Sequence, residues 1–323
     1  MSYSLDPALP MSEAVRRVAF AELDIANAAL ASSPDRHSGV HSARKCLKRL
    51  RSLLLLVRPG VPEPVFDNLS ERLSAIARGL APARDAHALL DAVDKLEPDE
   101  EAFAATSPIR SLRGWLRKRR DAAERNLETG AAAEAMRGLR ELRPALAGLA
   151  VYPDDFSPLA KGIRHGYRAT RKSLRDAFAS QTHEDFHEWR KDVQHHWRQM
   201  QLLAPCAPSE LAARAESARA LSQLLGDDHD IALLGRLVST PTMVFGSAED
   251  TAAFLKRCRK RHKALRREAK ARATKLFAER PRPFVERVEG AWLAAAHRAP
   301  EPVVEPRADN VVLFGDLRSG RAS

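Results

Sequence analysis

Apolar residues recur at three- and four-residue spacing along almost the whole of this 323-residue chain. This period places them on one face of an α-helix, whereas a half-buried strand would alternate apolar and polar residues. The residues that favour helices, Ala, Leu, Arg and Glu, dominate the composition. The sequence therefore predicts an all-α protein, with helices over residues 12–31, 40–58, 65–95, 100–129, 131–150, 157–179, 184–203, 209–238, 249–279 and 282–297.

Proline and glycine mark the breaks between these predicted helices. The long element at 65–95 is expected to bend near Gly79 and Pro82, because a proline inside a helix has no backbone N–H to donate. Residues 299–323 are rich in proline and carry no helical pattern. They are predicted to form a disordered C-terminal tail.

The chain also repeats itself at a long period. The stretch HSARK at 41–45 recurs as HEWRK at 187–191, and LAPARD at 80–85 matches LGDDHD at 225–230 at nearly the same offset. A period of this length indicates a tandem duplication, since a solenoid repeats every 20–50 residues or so. The sequence predicts two pseudo-symmetric four-helix bundle repeats with long basic amphipathic helices, at 12–150 and 157–297.

One face of the predicted helix after residue 40 is strongly basic. His41, Arg44, Lys45, Lys48 and Arg51 share one side, and residues 41–58 contain no Asp or Glu. An ordinary solvated face mixes charges of both signs and gains a little energy from each pair. A face of like charges repels itself, so it indicates an anionic partner that offsets the repulsion.

Four further predicted helices show the same pattern, and a run of charge on one of them alone would be typical of a solvated face. Five such helices, with 53 Lys and Arg against 42 Asp and Glu in the whole chain, favour a groove for a polyanion. Arg binds phosphate well because its planar fork donates to two oxygens at once. The basic residues of the four helices are Arg113, Arg117 and Arg120; Arg164, Arg168, Arg171 and Lys172; His187, Arg190, Lys191 and Arg198; and Lys256, Lys260, Lys263 and Arg267.

Other classes of protein fit the sequence less well. Three cysteines without ligand-like spacing indicate neither a disulfide framework nor a thiolate metal site. No apolar run of about 18 residues occurs, and the N-terminus lacks the order of a signal peptide. A cytoplasmic binding protein without a cofactor, a membrane span or catalytic activity is therefore expected.

The two basic runs resemble the CHAD family, the conserved histidine α-helical domain. The resemblance rests on His41-x-x-Arg44-Lys45-x-x-Lys48-Arg49-x-Arg51 and on His187-x-x-Arg190-Lys191, and it covers about residues 12–297. It implies a pair of pseudo-symmetric four-helix bundles that bind inorganic polyphosphate in a basic central channel. It also implies association with polyphosphate granules, which is found for bacterial members, and no intrinsic catalysis.

The resemblance further implies which residues contact the ligand. Gln194 and His195 stand where the first copy has Lys48 and Arg49, so the second half is expected to bind less strongly at neutral pH. The implied contacts are His41, Arg44, Lys45, Lys48, Arg49, Arg51, Arg164, Arg168, Arg171, Lys172, His187, Arg190 and Lys191.

Two alternatives stay open at the level of sequence. A nucleic acid is also a polyanion, although Trp115, Trp189, Trp197 and Trp292 are predicted to lie in the core, where they would not stack on bases. A metal-dependent phosphohydrolase would use His41, His187 and nearby Asp side chains. The HEDFH stretch at 183–187 matches a zinc-protease pattern by letter, but the basic residues that follow it disfavour a bound dication.

Overall fold

The computed structural model describes residues 3–33, 36–96, 107–126, 130–240 and 245–297, and within them it contains helices and no strands. The predicted all-α class is confirmed, and the predicted tail at 299–323 lies outside the described residues. None of the helices in these ranges is long and apolar enough to cross a bilayer. The helices are α1 (Met11–Ser32), α2 (Arg36–Val57), α3 (Glu63–Gly79), α4 (Ala81–Lys95), α5 (Ser107–Asn126), α6 (Ala132–Ala147), α7 (Ser157–Ser180), α8 (His183–Leu203), α9 (Pro208–Val238), α10 (Ala248–Leu276) and α11 (Pro281–Ala296), with 3-10 turns η1 (Arg58–Gly60) and η2 (Ala204–Cys206).

The element predicted at 65–95 is interrupted at the place where a bend was expected. Helix α3 ends at Gly79, and α4 begins at Ala81 with Pro82 in its first turn. The first turn of a helix tolerates proline because its N–H would have no partner within the helix. The corresponding α9 has a proline only at its start and continues unbroken for 31 residues.

The order of elements is compatible with an internal repeat. The series α1, α2, η1, α3 with α4, α5 and α6 has the same order as α7, α8, η2, α9, α10 and α11. Both 3-10 turns contain a proline, Pro59 in the first and Pro205 in the second. The two series thus match element for element, with the pair α3 and α4 in the place of α9.

Two hydrophobic cores hold the helices together, and each takes side chains from both series. The larger core joins Leu23 and Leu50 of the first series to Ile163 and Val193 of the second. The smaller core is formed by α4, α5, the C-terminal half of α9 and α10. We call this four-helix assembly the distal bundle.

Helix α7 crosses α2 at very short range. A Cβ at Gly162 would overlap the carbonyl oxygen of Leu56, so only glycine fits at this crossing. The crossing fixes α2 and α7 relative to each other, and α8 packs against both of them. This arrangement sets the position of the basic face of α2.

A buried carboxylate joins α9 to α10 in the distal bundle. Asp228 is 1% exposed, and it accepts hydrogen bonds from Arg266 Nε at 2.9 Å and from the ring of His262 at 2.7 Å. Burial alone would raise the pKa of Asp228, but these hydrogen bonds lower it below its ordinary value. The charged carboxylate therefore holds α10 on α9.

Candidate anion-binding cleft

A cleft with a volume of about 730 Å³ lies between α2, α8 and α9, with one side chain from α4. Among the described residues that line it, Lys and Arg side chains number eight and carboxylates number three. The cleft is therefore strongly cationic. Its basic lining consists of His41, Arg44, Lys45, Lys48, Arg49, Lys95, Arg190, Arg198 and Arg219.

Helix α2 supplies the largest share of this basic lining. Leu47 and Leu50 point into the larger core, which turns the opposite face of the helix towards the cleft. His41, Lys45 and Lys48 are exposed on that face. Arg44 is half-buried, and its Nη1 donates to the carbonyl oxygen of Ala77 in α3 at 2.8 Å.

Arg49 and Arg198 lie deeper in the wall of the cleft. Arg49 forms an ion pair with the buried Glu22 at 3.0 Å. Arg198 is 5% exposed, its Nη1 donates to the carbonyl oxygen of Gln194, and its guanidinium lies 4.7 Å from the ring centre of Trp197. No described carboxylate forms an ion pair with Arg198.

The environment of Arg198 opposes its charge. Burial is the main cause that lowers the pKa of Arg198 to about 10; the charges of Arg49 and Arg190 act in the same direction, and Tyr3 opposes them. At neutral pH the guanidinium still carries its proton. Arg49, Arg190 and Arg198 thus lie near enough for their charges to oppose one another in a partly desolvated wall. Glu22 offsets part of this charge through Arg49, and a bound anion would stabilise the group further.

A shallower groove of about 410 Å³ continues from the cleft along α2 and α3. It shares Arg44 and Lys48 with the cleft and adds Arg51 and Arg78. Arg51 Nη2 donates to Ser74 Oγ at 2.6 Å, and burial together with the charge of Arg78 lowers the pKa of Arg51. The groove therefore extends the cationic surface beyond the cleft.

Carboxylates also pair with two basic residues at the margin of the cleft. Lys95 Nζ lies 2.7 Å from Asp227 Oδ1, and Arg219 lies 3.2 Å from Glu216. Neither basic residue belongs to a run of like charge, because Lys95 follows Asp91 and Asp94 on α4 and Arg219 follows Glu216 on α9. No signal in the sequence marked them as part of a basic face.

The second copy of the basic run is placed differently from the first. Gln194 lines the cleft at the position of Lys48, whereas His195 faces the other side of α8 and hydrogen-bonds Ser52. Lys191 is exposed and forms an ion pair with Glu188 at 2.8 Å. The second half therefore contributes fewer cations to the cleft than the first.

His187 belongs to a stack of three imidazole rings. Its ring centre lies 4.4 Å from that of His229, which lies 5.0 Å from that of His183. Burial lowers the pKa of His187, and the charges of Arg190 and Lys191 lower it further. Burial and the charge of Arg190 lower the pKa of His229 to about 3. Within the described ranges no three His, Cys, Asp or Glu side chains are grouped so as to hold a metal ion.

The structure brings seven of the predicted site residues to the cleft and Arg51 to the groove. The others lie elsewhere. Arg171 donates to the carbonyl oxygen of Glu279, Lys172 pairs with Asp176, and Arg113 pairs with Asp94. The predicted residues that line neither the cleft nor the groove are Arg113, Arg117, Arg120, Arg164, Arg168, Arg171, Lys172, His187, Lys191, Lys256, Lys260, Lys263 and Arg267.

The tryptophans correct one expectation. Trp189 and Trp292 are buried as predicted, whereas Trp197, which was also predicted to lie in the core, is half-buried in the lining of the cleft. Trp115 was predicted to lie in the core, and this prediction is wrong, since 37% of the residue is exposed. It lies at the edge of the apolar face of α5, and the guanidinium of Arg119 lies 5.4 Å from the centre of its ring.

Comparison with known proteins agrees with this architecture. The family model for the CHAD domain matches residues 17–239. The crystal structure of the CHAD domain from the plant Ricinus communis superposes with a TM-score of 0.52 at 19% identity, over 93% of this chain and 97% of that chain, which shows a shared fold. No curated protein matches the sequence. Because the family model matches more than half of its length, the chain belongs to the CHAD domain family.

Proposed function

We propose that the protein binds inorganic polyphosphate in the cleft and the adjoining groove, and that it does so without catalysing a reaction. The observation that carries this proposal is the excess of cations in the lining of the cleft, where eight described Lys and Arg side chains face three carboxylates. Such an excess in a concave, partly desolvated site favours a ligand that carries a negative charge on every unit. The resemblance to polyphosphate-binding CHAD domains supports the same ligand.

The composition of the cleft favours polyphosphate over a nucleic acid at this site. Trp197 is the one Phe, Tyr or Trp side chain among the described lining residues, and it is half-buried in the wall. Bases entering the cleft would therefore find no exposed indole or phenyl ring on which to stack. A polyphosphate carries only charged oxygens, which match the Arg and Lys side chains.

Association with polyphosphate granules in the cytoplasm follows from this proposal. A granule presents many phosphate chains, so a protein that dissociates from one chain binds another before it diffuses away. A fluorescent fusion of the protein is expected to colocalise with granules. The same fusion is expected to spread through the cytoplasm in cells that cannot make polyphosphate.

Titration calorimetry with long-chain polyphosphate tests the site. Lys45→Ala/Lys48→Ala removes two exposed cations from the cleft, and Lys256→Ala/Lys260→Ala removes two exposed cations from α10 as a matched control. The cleft variant is expected to lose about tenfold or more in affinity, because each lost charge-assisted hydrogen bond weakens binding. The control variant is expected to bind within about twofold of the unchanged protein.

Equal losses in the two variants would show that polyphosphate binds by overall charge and would contradict the cleft as its site. Phosphate release is measured in the same samples with and without a divalent metal ion. A binding protein releases none. Release that requires the metal ion would instead support the phosphohydrolase alternative.

A further inference from the structure

Two helices of the distal bundle carry exposed basic residues that do not belong to the cleft. Residues 107–120 of α5 contain six Lys and Arg and no Asp or Glu, and residues 251–267 of α10 contain eight and none. Neither helix contributes a described residue to the lining of the cleft or the groove. The charges on these two helices therefore need a separate explanation.

Packing turns the basic faces of α5 and α10 outward. Leu112 and Leu116 of α5 share the smaller core with Phe254 and Leu265 of α10. Nine Lys and Arg side chains of these two helices are exposed, and no ion pair joins them to a described carboxylate. They are Arg117, Lys118 and Arg119 on α5, and Lys256, Arg259, Lys260, Arg261, Lys263 and Arg267 on α10.

An exposed indole lies within the basic surface of α5. Trp115 is 37% exposed, with Lys118 and Arg119 three and four residues further along the helix and so on the same side. The guanidinium of Arg119 lies 5.4 Å from the ring centre of Trp115. Exposed aromatic rings among cations are the features with which proteins stack bases and hold the phosphates of single strands.

We propose that the distal bundle binds single-stranded nucleic acid, with Trp115 stacking on a base and the cations of α5 and α10 binding phosphates. The proposal stands on the sequence and packing of these two helices. It is independent of polyphosphate binding in the cleft. It adds a second ligand at a second place on the same molecule.

Other partners fit this surface less well. A helix that lies on a membrane inserts its apolar face, but Leu112 and Leu116 of α5 are buried in the bundle. Polyphosphate has no rings that could stack on an exposed indole. In a duplex the bases are already stacked on one another, so Trp115 would not reach their faces.

The test compares two labelled strands of equal length and charge by fluorescence anisotropy. One is a 20-nucleotide oligothymidine, and the other has the same backbone without bases. Oligothymidine is expected to bind at least about fivefold more tightly, because stacking of one base contributes about 1–3 kcal/mol. Trp115→Ala is expected to remove this difference in affinity, and Trp115→Phe is expected to keep most of it. Arg117→Ala/Lys118→Ala is expected to lower the affinity for both strands.

The cleft variant Lys45→Ala/Lys48→Ala separates the two sites. It is expected to leave oligothymidine affinity within about twofold of the unchanged protein, whether or not the cleft binds polyphosphate. Equal affinity for the two strands, or loss of oligothymidine binding in the cleft variant, would overturn the proposal. So would tighter binding to phosphatidylserine vesicles that depends on Trp115. Thermal unfolding of each variant confirms that it is folded.

Discussion

At the scale of single residues, neutral histidines lie beside the cationic wall of the cleft. Ser52 Oγ donates to the carbonyl oxygen of Lys48, so it accepts the proton on His195 Nδ1 at 2.9 Å. Burial, together with the charges of Arg198 and Arg51, lowers the pKa of His195 to about 3. The imidazole therefore carries no charge at neutral pH, and the adjacent arginines gain no further like charge.

This neutral state predicts that acid weakens the fold. In the unfolded chain His195 takes up a proton below about pH 6.5, whereas in the folded protein it stays neutral until about pH 3. Because the folded pKa lies below the unfolded one, stability is lost as the pH falls through this window. His195 alone is expected to lower the free energy of unfolding by about 1 kcal/mol between pH 7 and pH 5.5.

Urea denaturation of the unchanged protein and of His195→Gln, at both pH values, measures this effect. Glutamine retains a donor for Ser52 but does not titrate. The variant is expected to be less stable at pH 7 and to lose less stability on acidification. An unchanged loss between the two pH values would contradict the assignment of a neutral His195.

The sequence predicted some of the residues that line the cleft and not others. The helical period of α2 correctly predicted which of its residues are buried and which form the basic face, because the two kinds of residue lie on different sides of one helix. It did not indicate that Lys95 and Arg219 would face the same cleft, since the meeting of three helices is a property of packing. Trp115 was misplaced because periodicity describes the edge of an apolar face poorly.

At the scale of elements, the crossing of α7 over α2 sets the position of the main basic face. Gly162→Ala is expected to lower the free energy of unfolding by about 2–3 kcal/mol, because the new methyl group must displace the backbone of Leu56. Gly290→Ala is the matched control. A Cβ there meets open space within α11, so this variant is expected to be more stable by up to about 1 kcal/mol.

Thermal and urea unfolding of the two glycine variants provide the comparison. Destabilisation by Gly162→Ala alone would agree with close packing of α7 on α2. If both variants were stabilised equally, the close approach at Gly162 would be refuted. Polyphosphate affinity measured on the same samples shows whether a shifted α2 also disturbs the cleft.

Most helix boundaries could be predicted because the residues that cap a helix lie next to it in the sequence. Thr182 accepts a hydrogen bond from the backbone N–H of Asp185 and starts α8, and Ser247 forms a capping box with Asp250 at the start of α10. The expected range of 184–203 for α8 differs by one residue from the observed His183–Leu203. The region at 65–95 forms two helices, and the interruption lies between Gly79 and Pro82, where the sequence indicated it.

At the scale of the whole molecule, the separation of the two cationic surfaces predicts different responses to salt. Polyphosphate affinity is expected to fall steeply as the salt concentration rises, because binding releases counterions. Lys45→Ala/Lys48→Ala is expected to reduce the slope of log affinity against log salt by about one to two. Lys256→Ala/Lys260→Ala is expected to leave that slope unchanged and to reduce the slope for oligothymidine.

Calorimetry at four salt concentrations between 50 and 300 mM, roughly the range over which such contacts weaken, measures both slopes. The same two ligands and two variants are used throughout. If both variants changed both slopes equally, the molecule would have one diffuse cationic field in place of two separate sites. This outcome would count against the assignment of either ligand to a defined surface.

The sequence indicated the repeat, but it did not indicate how the two copies pack. The division into 12–150 and 157–297 stays a prediction, since both cores draw on helices from each copy. The apolar pattern predicts which face of a helix is buried, but it does not predict which other helix covers that face. The packing partners are therefore known only from the structure.

The shared cores make the two halves of the chain depend on each other. Leu23 and Leu50 of the first half pack in the same core as Ile163 and Val193 of the second, so either half alone would expose apolar side chains that the whole chain buries. Because the cleft also takes its lining from helices of both halves, the ligand site is expected to form only when the two halves fold together.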